Sequence, residues 1–186
     1  RLMDFNDTTA AQFADALSRG SEDRAHGYIV DVRNNGGGEL SSILEILDML
    51  LPEGPIVRIQ YKDGTEQVYE SDANEFKAPM VVLANSNTAS AAELFVSALK
   101  DYQRAVVVGT VTYGKGTVQS LIPFEDGSAL RISTSMYAPP YSDNYEGIGV
   151  TPDIESELDE QYRGINLFKL AHDNDAQLQA ALALYK

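Results

Sequence analysis

Apolar residues recur at two different spacings along this chain, and the way the spacings alternate sets the fold class. Over Thr8–Arg19, the residues Ala10, Phe13, Ala14, Ala16 and Leu17 fall on one helix face, with Asp7 placed to cap it and Gly20 to stop it. Gly27-Tyr-Ile-Val-Asp-Val-Arg33 is short and apolar, the pattern of a buried strand. A second helix is expected over Leu40–Leu51, where Ile43, Leu44, Ile46, Leu47 and Leu50 recur before Pro52 ends it. Ile56–Tyr61 and Glu66–Tyr69 flank Asp63-Gly64, a hairpin signal. Pro79–Ala84 and Ala105–Gly109 read as further buried strands. Between them a helix runs from near Ser90 to Tyr102, with Leu94, Phe95, Ala98, Leu99 and Tyr102 on one stripe. Thr117–Pro123 and Ala129–Tyr137 make a second hairpin around Glu125-Asp-Gly-Ser128, and Ala138–Glu146 is a loop rich in proline and tyrosine. Helical spacing returns at Asn166–His172 and Ala176–Tyr185. Strands alternating with helices, then a β-rich stretch, predict an α/β layered domain with a mixed sheet.

Composition narrows the partners. Twenty-eight acidic against fourteen basic residues give a net charge of -14, a surface that repels a phosphate backbone, so nucleic acid is not expected as a partner. The chain has no cysteine, which removes disulfides, thiolate metal sites and cysteine nucleophiles together. No apolar run approaches the length of a membrane span. The length of 186 residues suits one domain with a real core. The opening Arg1–Phe5 reads as the tail of a strand, so residues 1–186 are expected to be one domain cut from a longer protein.

Three segments carry chemistry. Asn85-Ser-Asn-Thr-Ala-Ser-Ala-Ala-Glu93 joins a strand to a helix, and a serine at a helix start sits beside unpaired N–H groups suited to an oxyanion. Ser90 and Glu93 have the spacing of a capping box, so the same serine can be a simple helix cap. Of the histidines, His26 precedes the strand at Gly27–Arg33 and His172 lies among apolar neighbours. Neither has a setting that suggests a base. Lys115, in Thr112-Tyr-Gly-Lys-Gly-Thr117, is the candidate base, because desolvation favours the neutral amine; a solvated loop lysine is the plain alternative. Gly109 with Gly114-Lys115 nearly spells a phosphate-binding loop, but Gly116 replaces the magnesium-binding hydroxyl and a strand follows instead of a helix. Gly36-Gly37-Gly38, between a strand and a helix, can bring backbone amides close to an anion.

Taken in order, these segments resemble the carboxyl-terminal processing peptidases (tail-specific proteases, peptidase family S41). Asp31-Val-Arg-Asn-Asn-Gly-Gly-Gly38 is similar to that family's Asp-Leu-Arg-x-Asn-Pro-Gly-Gly segment, and Asn87–Glu93 to its nucleophile motif. Tyr113–Gln119 resembles its Gly-Lys-Gly-x-x-Gln stretch, and Gly147-Ile-Gly-Val-Thr-Pro-Asp153 the stretch that closes its core. The resemblance implies the Clp protease/crotonase-like superfold. It also implies a serine endopeptidase that needs no metal or cofactor and acts on extended or unfolded polypeptides near their carboxyl termini. Ser90 would be the nucleophile, Lys115 the general base, and Gln119 the residue orienting Lys115, since the two would share a face of an extended strand. Gly38, or next Gly37, would join the N–H of Ala91 in the oxyanion hole. A PDZ domain is expected in the full-length protein, and an extracytoplasmic location. Gly36 departs from the family's proline, and the loop at Tyr137–Glu146 departs from its usual pattern. Two other readings compete: a peptide- or ligand-binding module on the same fold, and a crotonase-type acyl-CoA enzyme.

Overall fold

The computed structural model describes residues 1–185. Its eight strands form two sheets. One is wholly parallel, in the order β1 (Tyr28–Asp31), β4 (Met80–Ala84), β5 (Val106–Gly109), β8 (Ile154–Glu155). The other is antiparallel, in the order β3 (Glu66–Ser71), β2 (Gly54–Tyr61), β7 (Ala129–Ala138), β6 (Thr117–Pro123). Both expected hairpins form.

The two-residue period of β4 divides the interior. Met80, Val82 and Ala84 point into the main core with the helices α1 (Thr9–Glu22), α2 (Leu40–Asp48) and α3 (Ala91–Asp101). Val81 and Leu83 point the other way, to a smaller cluster with Val108 and Ala181 of α4 (Ala176–Ala183). A parallel sheet covered on both faces needs strands that are apolar throughout, and β4 is buried at all five positions.

Helix α3 differs from its expected single stripe. Every residue from Ala91 to Leu99 is buried, because the helix lies between β5 and β2 with α2 alongside. A helix apolar on all sides is one enclosed on all sides. Full burial of Leu94, Phe95, Val96 and Leu99 contributes about 1.5–3 kcal/mol apiece.

Three expectations are corrected. Gly20 does not stop α1, which continues to Glu22. A β-carbon at Gly20 would lie 2.5 Å from the Tyr28 hydroxyl, which donates to the Leu17 carbonyl, so the glycine makes room for a tyrosine. The cap residue is Thr8 rather than Asp7, with the Thr8 N–H and hydroxyl both donating to the Asn6 side chain. Asn166–His172 is not a helix either. The Asn166 side chain takes the N–H of Phe168 and closes a single turn, with a short 3-10 turn following at His172–Asn174.

β1, β4 and β5 are neighbours and parallel, so their carboxyl ends lie at one edge of the sheet. The glycine loop leaves β1 there, the serine turn leaves β4, and the lysine loop leaves β5. An open parallel sheet places its ligand crevices at this edge.

Candidate active site

The three loops are tied to one another by hydrogen bonds. The Thr88 hydroxyl donates to the Val32 carbonyl at 2.9 Å, and the Ala89 N–H to the Asn35 carbonyl at 2.9 Å, joining the serine turn to the glycine loop. The Tyr113 N–H donates to the Thr88 carbonyl at 3.0 Å, joining the lysine loop to the same turn.

Ser90 sits in a backbone conformation that side chains disfavour, with φ 59° and ψ -124°. Such a residue costs on the order of 1–3 kcal/mol and is kept only where its surroundings fix it. What fixes it is Glu93. This carboxylate is fully buried and accepts four hydrogen bonds, from the Ser90 N–H at 2.9 Å, the Lys115 N–H at 2.8 Å, the Gly114 N–H at 2.6 Å and the Thr112 hydroxyl at 2.5 Å. The capping-box spacing is therefore real, but the carboxylate also binds the serine turn to the lysine loop. Its own N–H goes to the Ser90 carbonyl at 2.8 Å. The Ser90 hydroxyl instead meets Tyr137, whose phenol lies 3.1 Å from Oγ.

The lysine loop is held along its length. After Gly114 and Lys115 on Glu93, the Gly116 N–H donates to Glu146 at 2.5 Å. Lys115 is half-buried, and its side chain lines a cleft of about 450 Å³ together with Ser90, Gly38, Gln119, Arg131 and Tyr137. Leu40, Leu94 and Val118 supply an apolar lining. Gln119 lies in this cleft too, but it is exposed, and its side chain has no hydrogen-bond partner among the described residues. Lys115 lies outside the strand that carries Gln119, because β6 begins only at Thr117, and a register shift falls between Val118 and Gln119.

In the glycine loop, Gly37 packs directly on the serine turn. A β-carbon there would lie 2.8 Å from the Ala91 N, the Ala89 O and the Ser90 Cβ, and φ is 98°. Its N–H is already given to the buried Asn35 side chain at 2.8 Å, which removes Gly37 as an oxyanion donor. The N–H groups of Gly38 and Ala91 have no acceptor among the described residues. Gly38 has φ 150° and lies against the Phe5 backbone, where a β-carbon would come 2.0 Å from the Phe5 carbonyl oxygen.

Behind this loop lies a buried ionic knot. The Arg33 guanidinium, 2% exposed, pairs with Asp31 at 2.8–2.9 Å and with Asp175 at 2.8 Å, and donates to Gln177 at 2.9 Å. Burial alone would raise the Asp31 pKa, but hydrogen bonds from Arg33 and the charges of Arg33 and Arg1 outweigh it and hold the carboxyl below its usual range. Burial pushes the Tyr137 phenol up to about 12, so it remains protonated at neutral pH.

The structure thus brings Ser90, Lys115, Gln119, Gly38 and Ala91 to one cleft. His26 and His172 are exposed and line no part of it. Sequence reasoning missed Tyr137, Asn35 and Glu146, and gave Glu93 half of its role. Only Glu93 left a local signal, its capping-box spacing.

The model of peptidase family S41 matches residues 1–156. The chain is 37% identical to a carboxyl-terminal-processing protease of Synechocystis sp., over 99% of this chain and 42% of that protein. It is 36% identical to a carboxy-terminal-processing protease of Bartonella bacilliformis, over 90% of this chain and 41% of that protein. It spans, then, about two fifths of the length of these relatives. Among solved structures, a photosystem II D1 C-terminal processing protease superposes with a TM-score of 0.78 at 34% identity, covering 89% of this chain and 44% of that one. The tricorn protease superposes with a TM-score of 0.55 at 24% identity, over 86% of this chain and 15% of that one, a likeness of fold. The architecture is that of the Clp protease/crotonase-like superfold.

Proposed function

Because this chain belongs to peptidase family S41, we propose that it is the core of a serine endopeptidase in which Ser90 is the nucleophile and Lys115 the general base. The observation that carries the reading is the convergence of a strained serine, a lysine and two free N–H groups on one cleft. The Ser90 Oγ attacks the scissile carbonyl carbon while its proton passes to the Lys115 amine. The oxyanion of the tetrahedral intermediate is received by the N–H groups of Gly38 and Ala91. Lys115 returns the proton to the leaving amine, and a water deprotonated by the same amine then cleaves the acyl-serine ester. Gln119 orients the Lys115 amine once a substrate covers the cleft.

Substrates are extended or unfolded polypeptides cut near their carboxyl termini. The names of the relatives support that class, and the apolar lining supplied by Leu40, Leu94 and Val118 suits a nonpolar side chain beside the cut. The remaining three fifths of the relatives' length leaves room for the expected PDZ domain, and the protein acts outside the cytoplasm, a reading supported by family resemblance.

The test is digestion of casein by the chain, beside Ser90→Ala and Lys115→Ala. Both variants are expected to keep the fold and lose cleavage. Cleavage that survives in Ser90→Ala sinks the assignment.

A further inference from the structure

The Tyr137 hydroxyl touches the proposed nucleophile, and no reading of the sequence gave it a role. We propose that Tyr137 is a further catalytic residue of this site, donating a hydrogen bond to Ser90 Oγ and stabilising the negative charge that gathers there as the serine proton leaves for Lys115. This rests on Ser90 being the nucleophile.

The phenol has one proton and two acceptors within reach, Ser90 Oγ at 3.1 Å and the Lys115 carbonyl at 3.0 Å. With the proton on the carbonyl, the phenol oxygen is free to accept from the serine hydroxyl, and the serine proton then points away from the base. With the proton on Oγ, the serine's own proton is free to turn toward the amine. As the Ser90 O–H bond breaks and the bond from Oγ to the carbonyl carbon forms, Oγ gains negative charge. A donor to a charged oxygen is roughly twice as strong as one to a neutral oxygen. The second arrangement therefore gains in the transition state, the condition for an interaction to raise kcat. Once Oγ has become an ester oxygen, a poor acceptor, the phenol returns to the Lys115 carbonyl. Tyr137 keeps its proton throughout.

The hydroxyl is held for this work. Tyr137 is 5% exposed, and its ring packs against Tyr145 with centroids 6.0 Å apart and planes at 69°. The Tyr137 N–H donates to the Gly116 carbonyl at 3.0 Å, and the Asn144 side-chain amide donates to the Tyr137 carbonyl at 2.6 Å. The residue that touches the nucleophile is thus fastened to the neighbour of the base. Phenylalanine would fill the same space, so the packing alone has no need of the hydroxyl.

The experiment compares the full chain with Tyr137→Phe, Ser90→Ala and Lys115→Ala. The rate at which a fluorophosphonate probe modifies Ser90 is followed by intact mass, at a temperature where circular dichroism shows each protein folded. Tyr137→Phe is expected to react about 10- to 100-fold more slowly, below the loss of a full oxyanion donor. With a peptide substrate its kcat should fall by a similar factor, with KM within about twofold. A labelling rate within twofold of the parent, or a raised KM with kcat intact, overturns the inference and leaves the serine reading standing. A parent chain in which the probe leaves Ser90 unmodified overturns the serine reading, and this inference with it.

Discussion

Replacing Glu93 by glutamine changes one atom and should loosen the whole site. Oε1 accepts from Thr112 and Gly114, and Oε2 from Ser90 and Lys115, all at 2.5–2.9 Å. A glutamine must turn its NH2 toward one of these pairs of donors. The milder orientation faces Thr112, whose hydroxyl can rotate to accept, but the Gly114 N–H then meets a donor. Leaving one buried donor unpaired costs about 1–3 kcal/mol, and the remaining bonds lose the strength that a charged acceptor lends them. The sum is about 2–4 kcal/mol, a large share of the roughly 5–15 kcal/mol that keeps a domain folded. Urea unfolding followed by circular dichroism measures it directly. The serine turn and the lysine loop should also drift apart, so fluorophosphonate labelling of Ser90 should slow even in fully folded Glu93→Gln. A stability change under about 0.5 kcal/mol with unchanged labelling would refute the role of this carboxylate as the strut between the two loops.

Three further outcomes are expected. Ser90→Gly should be more stable than Ser90→Ala by about 1–2 kcal/mol in the same unfolding assay, since only glycine relaxes at φ 59°; equal stability would mean the turn is not strained. Gly37→Ala should fold yet cut casein at least about tenfold more slowly, because its methyl displaces Ser90 and Ala91 by enough to spoil the geometry of attack; full activity would contradict the close packing of the two loops. Arg33→Met should lose about 3–5 kcal/mol at neutral pH by stranding buried carboxylates. The lowered Asp31 pKa stabilises the fold above the usual value of 3.8 and ceases to do so as pH falls through the folded value, so the gap between parent and Arg33→Met should narrow below about pH 4. A gap constant down to pH 2 would speak against that linkage.

What the sequence disclosed follows the range of the interaction. The apolar run of β4 and the Asp-Gly hairpins are local, and their residues announced them. The serine turn, the lysine loop and the glycine loop were legible as segments, and the edge at which they meet follows from three neighbouring parallel strands. The burial of α3 on all sides was not legible, since a stripe of large residues marks one face and the small Ala91, Ala92 and Ser97 give no hint that they are covered as well. Gly20 misled because a glycine that ends a helix and one that admits a tyrosine ring look alike. Gln119 lies in the cleft with Lys115, but shared strand parity does not account for it, because β6 begins only at Thr117 and a register shift precedes Gln119. Tyr137 had no signal at all: it reads as one more alternating strand residue, and its partner Ser90 lies 47 positions away.

The knot at Arg33 has a consequence for timing. Its second carboxylate, Asp175, lies 142 positions downstream, while every residue proposed to react or to receive the oxyanion has been made by Lys115. A growing chain therefore carries its nucleophile and base before it carries the anchor of its glycine loop. At about 5–20 residues per second the interval is about 3–12 s. Until the α4 segment arrives, Arg33 has only the Asp31 carboxylate, and the turn that leads into the glycine loop is expected to stay loose.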